Sequence, residues 1–130
     1  MIKVFISVPR KNRKKEDIEY SIRKMKRIAR AYLAENDIEA DNIDFINTIV
    51  SENPPKEADE KIWYLGASIQ LLAKADYLVT MDYEDSYGYY GCEVERHAFY
   101  AYKGEDHIIQ VPLAYILSDN EKLDVSTSEH

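Results

Sequence analysis

The stretch that decides the fold spans residues 73–102 and reads AKADYLVTMDYEDSYGYYGCEVERHAFYAY. Within it, the apolar run Tyr77–Met81 has the length and composition of a buried strand. An acidic loop rich in tyrosine and glycine follows, and Gly91 then opens a helical pattern with Glu95 in its first or second turn. Ligands of open α/β sheets bind beyond the carboxyl ends of the strands, against the starts of the following helices. The pattern therefore predicts a site at this edge of the sheet, with Glu95 at its centre.

The rest of the chain alternates strand and helix patterns in the same way. Strand patterns occur at residues 2–8, 43–46 and 107–111, with a further apolar run at 48–50, and helical patterns occur at residues 18–35, 59–74 and 91–103. The apolar stripe of the second helix is expected to consist of Ile62, Leu65, Ile69 and Leu72. Gly104 is expected to cap the C-terminus of the third helix. Near-continuous apolar strands between amphipathic helices are typical of βαβ units, whose parallel sheet is covered on both faces. We therefore predict an α/β fold of three layers with four or five parallel strands. One domain is expected over residues 1–118, followed by a flexible polar tail over residues 119–130.

Composition and charge limit the classes of function. The formal net charge of −7 argues against a nucleic acid polymer as partner, because affinity for backbone phosphates needs a basic surface. No run approaches the ~20 apolar residues of a membrane span, so no membrane partner is predicted. The single cysteine, Cys92, excludes an intrachain disulfide and a cysteine metal knuckle, and it is itself expected to be a small buried side chain. We therefore expect a reducing, cytoplasmic setting, with neither a metal nor a cofactor.

Glu95 is the candidate nucleophile. A carboxylate can stabilise or trap the sugar cation that forms when an N-glycosidic bond breaks. Backbone N–H groups at the helix start are expected to hold this carboxylate ionised. The alternative is an exposed helix glutamate in an ion pair with Arg96. In the preceding loop, Asp82, Glu84 and Asp85 are candidates for binding sugar hydroxyls or protonating the leaving base, and solvated loop acids are the alternative.

Aromatic side chains next to Glu95 are candidates for binding a base. Tyr87 and Tyr89 interleave with Gly88 and Gly91, so their rings can stack on a nucleobase while the loop closes over it. Tyrosine is also favoured at protein interfaces, so an oligomer contact is the alternative.

A basic cluster follows the first predicted strand. Five of the six residues from Arg10 to Lys15 are lysine or arginine. Because these side chains pair strongly with phosphate oxygens, the cluster favours a phosphorylated ligand: a nucleoside monophosphate, an NAD-like dinucleotide or a cyclic nucleotide. A solvated loop is the alternative. Ser7, at the end of the strand, either contacts the ligand or satisfies a backbone group.

Several short segments carry a family resemblance. IWYLGASI at residues 62–69, AD at 75–76, GCEVE at 91–95 and VFISVP at 4–9 resemble the nucleoside 2-deoxyribosyltransferase-like domain of phage and bacterial genomes. The resemblance runs from residue 2 to residue 111. It implies a Rossmann-like or flavodoxin-like sheet and a homo-oligomer in which a neighbouring subunit completes each pocket. It also implies that Glu95, four residues after Gly91, attacks the anomeric carbon, and it adds Pro9 to the substrate-binding set and favours Asp85 as a second catalytic residue.

The chain departs from this family at Ser68. Related transferases have an aspartate there that holds and protonates the base, and a hydroxyl cannot carry out that proton transfer. Ser68 is therefore expected to bind substrate, and hydrolysis of a phosphorylated substrate is at least as well supported as base exchange.

Two hypotheses follow. The first is an enzyme that transfers or hydrolyses the N-glycosidic bond of a nucleoside or nucleotide through Glu95. The second is a non-catalytic nucleotide-binding protein, a sensor or a phage sponge for a signalling nucleotide. Cys92-x-x-Glu95 is also similar to a segment of the TIR domain, in which a glutamate acts on a ribosyl bond of NAD.

Overall fold

A computed structural model describes residues 1–122 of the chain. Its strands and main helices, in chain order, are β1 (Ile2–Ile6), α1 (Lys15–Glu35), β2 (Ile43–Phe45), α2 (Glu60–Leu72), β3 (Tyr77–Met81), α3 (Tyr90–Lys103), β4 (Ile108–Val111) and α4 (Leu113–Ile116). All four strands are parallel, in the order β2-β1-β3-β4. This is the strand order of flavodoxin-like sheets, so the predicted α/β fold with a parallel sheet is confirmed.

Each face of the sheet has its own hydrophobic core, because successive strand residues point to opposite faces. On one face, Val79 packs with Met25 of α1, and α4 covers the same side. On the other face, Phe5 and Leu78 pack with Phe99 of α3. Each of these five side chains is 2 % exposed or less. Helices on both faces complete the three predicted layers.

Capping residues end two of the helices, α2 at its N-terminus and α3 at its C-terminus. Asp59 Oδ1 accepts a 3.0 Å hydrogen bond from the Ile62 backbone N–H at the start of α2, as is usual for an N-cap aspartate. Gly104 ends α3 with a φ of 84°, where a side chain is rarely tolerated, which confirms its predicted capping role. Among residues 1–122, no helix has the length and apolarity needed to cross a membrane.

Three local predictions need correction. β2 is only three residues long, and the apolar run at 48–50 forms no strand. Ile62, expected on the buried stripe of α2, is 71 % exposed. Of the predicted flexible tail, residues 119–122 are helical, and Glu121 within them accepts the Ser118 backbone N–H; residues 123–130 lie outside the described part of the chain.

Candidate functional site

Three elements bring side chains together at the carboxyl edge of the sheet. Ser7 follows β1 directly, and its backbone N–H donates to Val79 O at 2.9 Å, which extends the pairing of β1 with β3. Ser68 lies in α2, and Glu95 lies in the second turn of α3. The chain order reverses between β1 and β3, because β2 lies on one side of this pair and β4 on the other. Doubly wound sheets bind their ligands at this switch point.

Glu95 is the buried centre of the arrangement. The residue is only 8 % exposed. Ser7 Oγ donates a 2.7 Å hydrogen bond to Glu95 Oε1, and Ser68 Oγ donates a short hydrogen bond to Glu95 Oε2. A carboxylate oxygen has two lone pairs, so each oxygen keeps acceptor capacity for a ligand. The two hydroxyls therefore fix the orientation of the carboxylate without saturating it.

Burial and hydrogen bonding act on Glu95 in opposite directions. Burial raises its pKa above the ordinary value, because a poorly solvated site disfavours the charged form. Hydrogen bonds from Ser68 and Ser7, and then the positive charge of Arg10, act to lower it. The expectation that backbone N–H groups hold the carboxylate is corrected: within residues 1–122, its hydrogen-bond donors are the two serine hydroxyls.

Arg96 does not neutralise Glu95. Its Nη2 donates to Met81 O at 2.5 Å and to Gln110 Oε1 at 3.0 Å, towards β3 and β4. Adjacent helix residues point about 100° apart, since a helix has roughly 3.6 residues per turn. Arg96 instead lines a cavity of about 830 Å³ whose lining does not include Glu95. The ion pair considered as the alternative role of Glu95 is therefore not formed.

A cavity of about 870 Å³ opens at Glu95. Sites for small molecules span roughly 300–1,000 Å³, so this volume is large enough for a nucleotide. Of the residues predicted for the site, those that line the cavity are Arg10, Ser68, Tyr89, Gly91 and Glu95. Ser7 adjoins the cavity through its hydrogen bond to Glu95. The structure therefore brings most of the predicted substrate-binding residues to one concave site.

The basic loop divides into ligand-facing and structural residues. Arg10 and Lys11 line the cavity. Arg13 turns away: its Nε and Nη2 each donate to a carboxylate oxygen of Glu121 at 2.7 Å, and its Nη1 donates to Pro9 O at 2.7 Å. Arg13 therefore holds the loop in shape, while Arg10 and Lys11 supply positive charge where an anionic ligand would lie.

Four predicted residues do not line the cavity: Pro9, Asp82, Asp85 and Tyr87. Asp85 Oδ2 accepts the Leu113 backbone N–H at 2.9 Å, which ties the loop to α4. This contact corrects the expectation that Asp85 acts beside Glu95. Burial lowers the pKa of Arg96, and the negative charge of Asp82 acts to raise it. Tyr87 is 89 % exposed.

Sequence reasoning missed one wall of the cavity. It is formed by the segment after β2 and the first half of α2, through Thr48, Ile49, Val50, Lys61, Ile62, Tyr64 and Leu65. Ile49 is 80 % exposed. Residues that follow β2 lie at the same carboxyl edge as Ser7, because the strands are parallel. Their position directly after a predicted strand could therefore have identified them as part of the site.

Cys92 lines the cavity, but its thiol is a poor nucleophile. It is 5 % exposed, and burial raises its pKa to about 11. Its thiol is therefore protonated at neutral pH and is a poor nucleophile, which agrees with its predicted role as a small buried side chain. Within residues 1–122, no group of three or more His, Cys, Asp or Glu side chains is placed to hold a metal ion.

Comparison with known proteins returned no match: no protein-family model, no curated protein and no solved structure is significantly similar to the chain. The family resemblance stays a prediction. The functional argument therefore depends on the geometry of the Glu95 cavity, with its two hydroxyl donors, its cationic loop and its tyrosines.

Proposed function

We propose that the protein cleaves the N-glycosidic bond of a nucleoside or nucleotide, with Glu95 as the nucleophile. The observation that carries this proposal is the Glu95 carboxylate itself. It is buried, is oriented by Ser7 and Ser68, and lies in a cavity of nucleotide size. A solvated helix glutamate needs neither burial nor two hydroxyl donors. The proposal agrees with the transferase-like family that the sequence resembles.

The chemistry is a double displacement. One Glu95 oxygen attacks the anomeric carbon while the C–N bond breaks and its electron pair leaves with the base. Water or a second base then attacks the anomeric carbon of the glycosyl ester, the bond from that carbon to Glu95 breaks, and its electron pair returns to the carboxylate. Attack by water gives hydrolysis, and attack by a second base gives transfer. Ser7 and Ser68 fix the attacking group in one orientation, and a positioned reactant lowers the entropic cost of attack.

Arg10 and Lys11 favour a phosphorylated substrate. Both line the cavity, and the positive charge of Arg10 acts on Glu95. Lys11 Nζ lies 5.6 Å from the centroid of the Tyr90 ring, so cationic and aromatic groups share one wall. A nucleotide offers a phosphate to the cations and a base to the tyrosines, and base–aromatic stacking is worth about 1–3 kcal/mol.

We also propose that the protein forms a homo-oligomer. Ile49 and Ile62 are 80 % and 71 % exposed, and both border the cavity. Two large aliphatic side chains at one rim favour a protein partner, and a second copy of the chain would cover them. Sedimentation velocity of the native protein and of Ile62→Lys tests this point: a native dimer weakened by the lysine is expected, and identical single-chain mass for both contradicts it.

The enzymatic proposal is tested by release of free base. The full-length protein is incubated with nucleosides, deoxynucleoside monophosphates and NAD, and the products are separated by chromatography. We expect release by the native protein and a loss of about 1,000-fold or more for Glu95→Ala, because removing a nucleophile removes the covalent route altogether. Glu93→Ala is the matched control, since Glu93 lies on the same helix but lines the other cavity.

Two results contradict the enzymatic proposal. One is no base release from any substrate by the native protein. The other is equal release by native protein and Glu95→Ala, which would assign the activity to a contaminant or to another site.

A non-catalytic nucleotide-binding protein is the second candidate. One observation favours it: Glu95 is the only carboxylate among the described residues that line the cavity, so no second acid stands beside it. Native mass spectrometry after incubation with the same panel distinguishes the two. A bound nucleotide recovered chemically intact supports a sensor or sponge, and recovery of free base supports the enzyme.

A further inference from the structure

We infer that the preferred substrates are nucleotides whose base carries a fixed positive charge on its ring system, such as a pyridinium or an N-alkylated purine. This inference rests on the proposed function and goes further by selecting the leaving group. It is argued from the proton donors and aromatic rings that the cavity places around the departing base, and not from contacts with the sugar.

A neutral base needs a proton as it leaves, and the part of the cavity formed by residues 1–122 has neither a histidine nor a second carboxylic acid to donate one. Glu95 is the one carboxylate in the described lining, and it is occupied as the nucleophile. The loop acid favoured from sequence, Asp85, is bound to the Leu113 backbone. The lining also contains no histidine. The described lining does include the proton-bearing side chains of tyrosine, lysine and Cys92, which serve as general acids less often than histidine does.

A cationic base removes that requirement. When the bond between the anomeric carbon and the ring nitrogen breaks, its electron pair neutralises the ring charge, and the base leaves as a neutral molecule. Glu95 forms the ester, water then attacks the anomeric carbon, and the ester electron pair returns to the carboxylate. The proton lost by the water goes to solvent, so each hydrolysis releases one proton.

The aromatic wall fits such a base. Tyr64 and Tyr89 line the cavity that contains Glu95, as does Tyr90, whose ring already lies 5.6 Å from Lys11 Nζ. The faces of tyrosine rings attract cations as well as stacking on planar rings. Arg10 and Lys11, which line the same cavity, suit the phosphate of the substrate rather than its base. The charges of the cavity therefore match a ligand that is cationic at the base and anionic at the phosphate.

The test uses pairs of substrates that differ in base charge. 7-Methylguanosine 5′-monophosphate is compared with guanosine 5′-monophosphate, and nicotinamide mononucleotide with adenosine 5′-monophosphate. Base release is followed by chromatography, and proton release by titration at constant pH. We expect kcat/KM to be about 100-fold or more higher for each cationic member, because general acid catalysis is worth about 10²–10⁴. One proton per base is expected for the cationic substrates.

Variants separate the possible outcomes. Glu95→Gln is expected to abolish release from both members of a pair, and Asp85→Asn to leave both rates unchanged. Equal rates for the methylated and unmethylated guanine nucleotides, after subtraction of the spontaneous rate, overturn the inference and leave the N-glycosidic activity standing. A fall of the neutral-substrate rate alone in Asp85→Asn also overturns it, by identifying an acid. No release from any of the four substrates overturns the inference, and the N-glycosidic proposal falls with it only if the nucleosides and deoxynucleoside monophosphates also release no base.

Discussion

Ser7 Oγ donates a 2.7 Å hydrogen bond to Glu95 Oε1, joining side chains 88 positions apart in the sequence. The bond connects the end of β1 to the second turn of α3 across the switch point of the sheet. Ser68 reaches the other carboxylate oxygen from α2. Residues from three elements therefore fix one carboxylate, and the effect of each hydrogen bond on that carboxylate can be tested by substitution.

Removing the hydroxyl donors should raise the pKa of Glu95 further. The hydrogen bonds from Ser68 and Ser7 oppose the effect of burial by favouring the ionised carboxylate. We expect Ser7→Ala, Ser68→Ala and the double variant to move the Glu95 titration to higher pH, the double variant most. Carbon-13 NMR of the glutamate carboxyl groups, with the Glu95 signal assigned through Glu95→Gln, measures the shift. Ser51→Ala, at an exposed serine, is the control, and a double variant that titrates like the control contradicts the prediction.

Replacing Glu95 by glutamine should stabilise the protein at high pH. Because the folded-state pKa of Glu95 is raised, the folded protein holds this proton more tightly than the unfolded chain does. The unfavourable contribution of the ionised group is present above the raised pKa and disappears as the pH falls towards the ordinary value of 4.5. We expect Glu95→Gln to melt above the native protein at pH 8, by a margin that shrinks with acidification. Thermal unfolding followed by circular dichroism measures this, with Glu93→Gln as control; a margin independent of pH argues against it.

The pair formed by Arg13 and Glu121 should be a large stabilising contact. Their side chains are 4 % and 15 % exposed, and Arg13 also donates to Ser21 Oγ at 2.6 Å. The pair is partly buried, and a hydrogen bond to a charged group contributes about 1.5–3 kcal/mol, so we expect Arg13→Ala to lower the free energy of unfolding by about 2 kcal/mol. Urea denaturation measures the loss. Lys15→Ala, at an exposed position, should change stability by less than about 0.5 kcal/mol, and equal losses for both variants would refute the assignment.

The same pair should give the protein an acid-sensitive contact. Hydrogen bonding by Arg13 lowers the pKa of Glu121 below its ordinary value of 4.5. Its stabilising contribution is therefore fully present above pH 4.5 and is lost as the pH falls through the lowered value. Glu121→Gln should be less stable than the native protein at pH 7 and should approach it in strong acid, as measured by urea denaturation over that pH range. A difference that persists unchanged in acid would contradict this.

Cys92 should resist alkylation in the folded protein. Burial raises its pKa from 9.0 to about 11, so the reactive thiolate fraction at pH 8 falls roughly 100-fold relative to an unperturbed thiol. Iodoacetamide labelling followed by intact-mass spectrometry is expected to be slower by at least this factor in buffer than in urea. Comparable rates in the two solutions would show that the thiol is accessible and ionised.

Sequence patterns predicted correctly those features that depend on a short segment of the chain. The apolar run of β3 and the acidic residue in the following helix could be assigned because strand and helix periodicities are properties of short segments. Asp85 could not be placed, since the turn at Tyr83–Asp85 directs its carboxylate to Leu113 of α4. The cavity wall at residues 48–50 was read as a strand for a related reason, because apolar composition does not distinguish a buried strand from an exposed rim.

By itself the sequence determined the α/β class, the parallel sheet and the position of Glu95 on the helix after β3. These features follow from the order and period of apolar residues along the chain. Only the tertiary structure decided that Ser7 and Ser68 donate hydrogen bonds to Glu95. It also decided that Arg96 lines a different cavity and that Arg13 pairs with Glu121 rather than facing the ligand. Hydrogen-bond partners 27 and 88 positions apart are chosen by how helices pack on the sheet, and no local pattern encodes that packing.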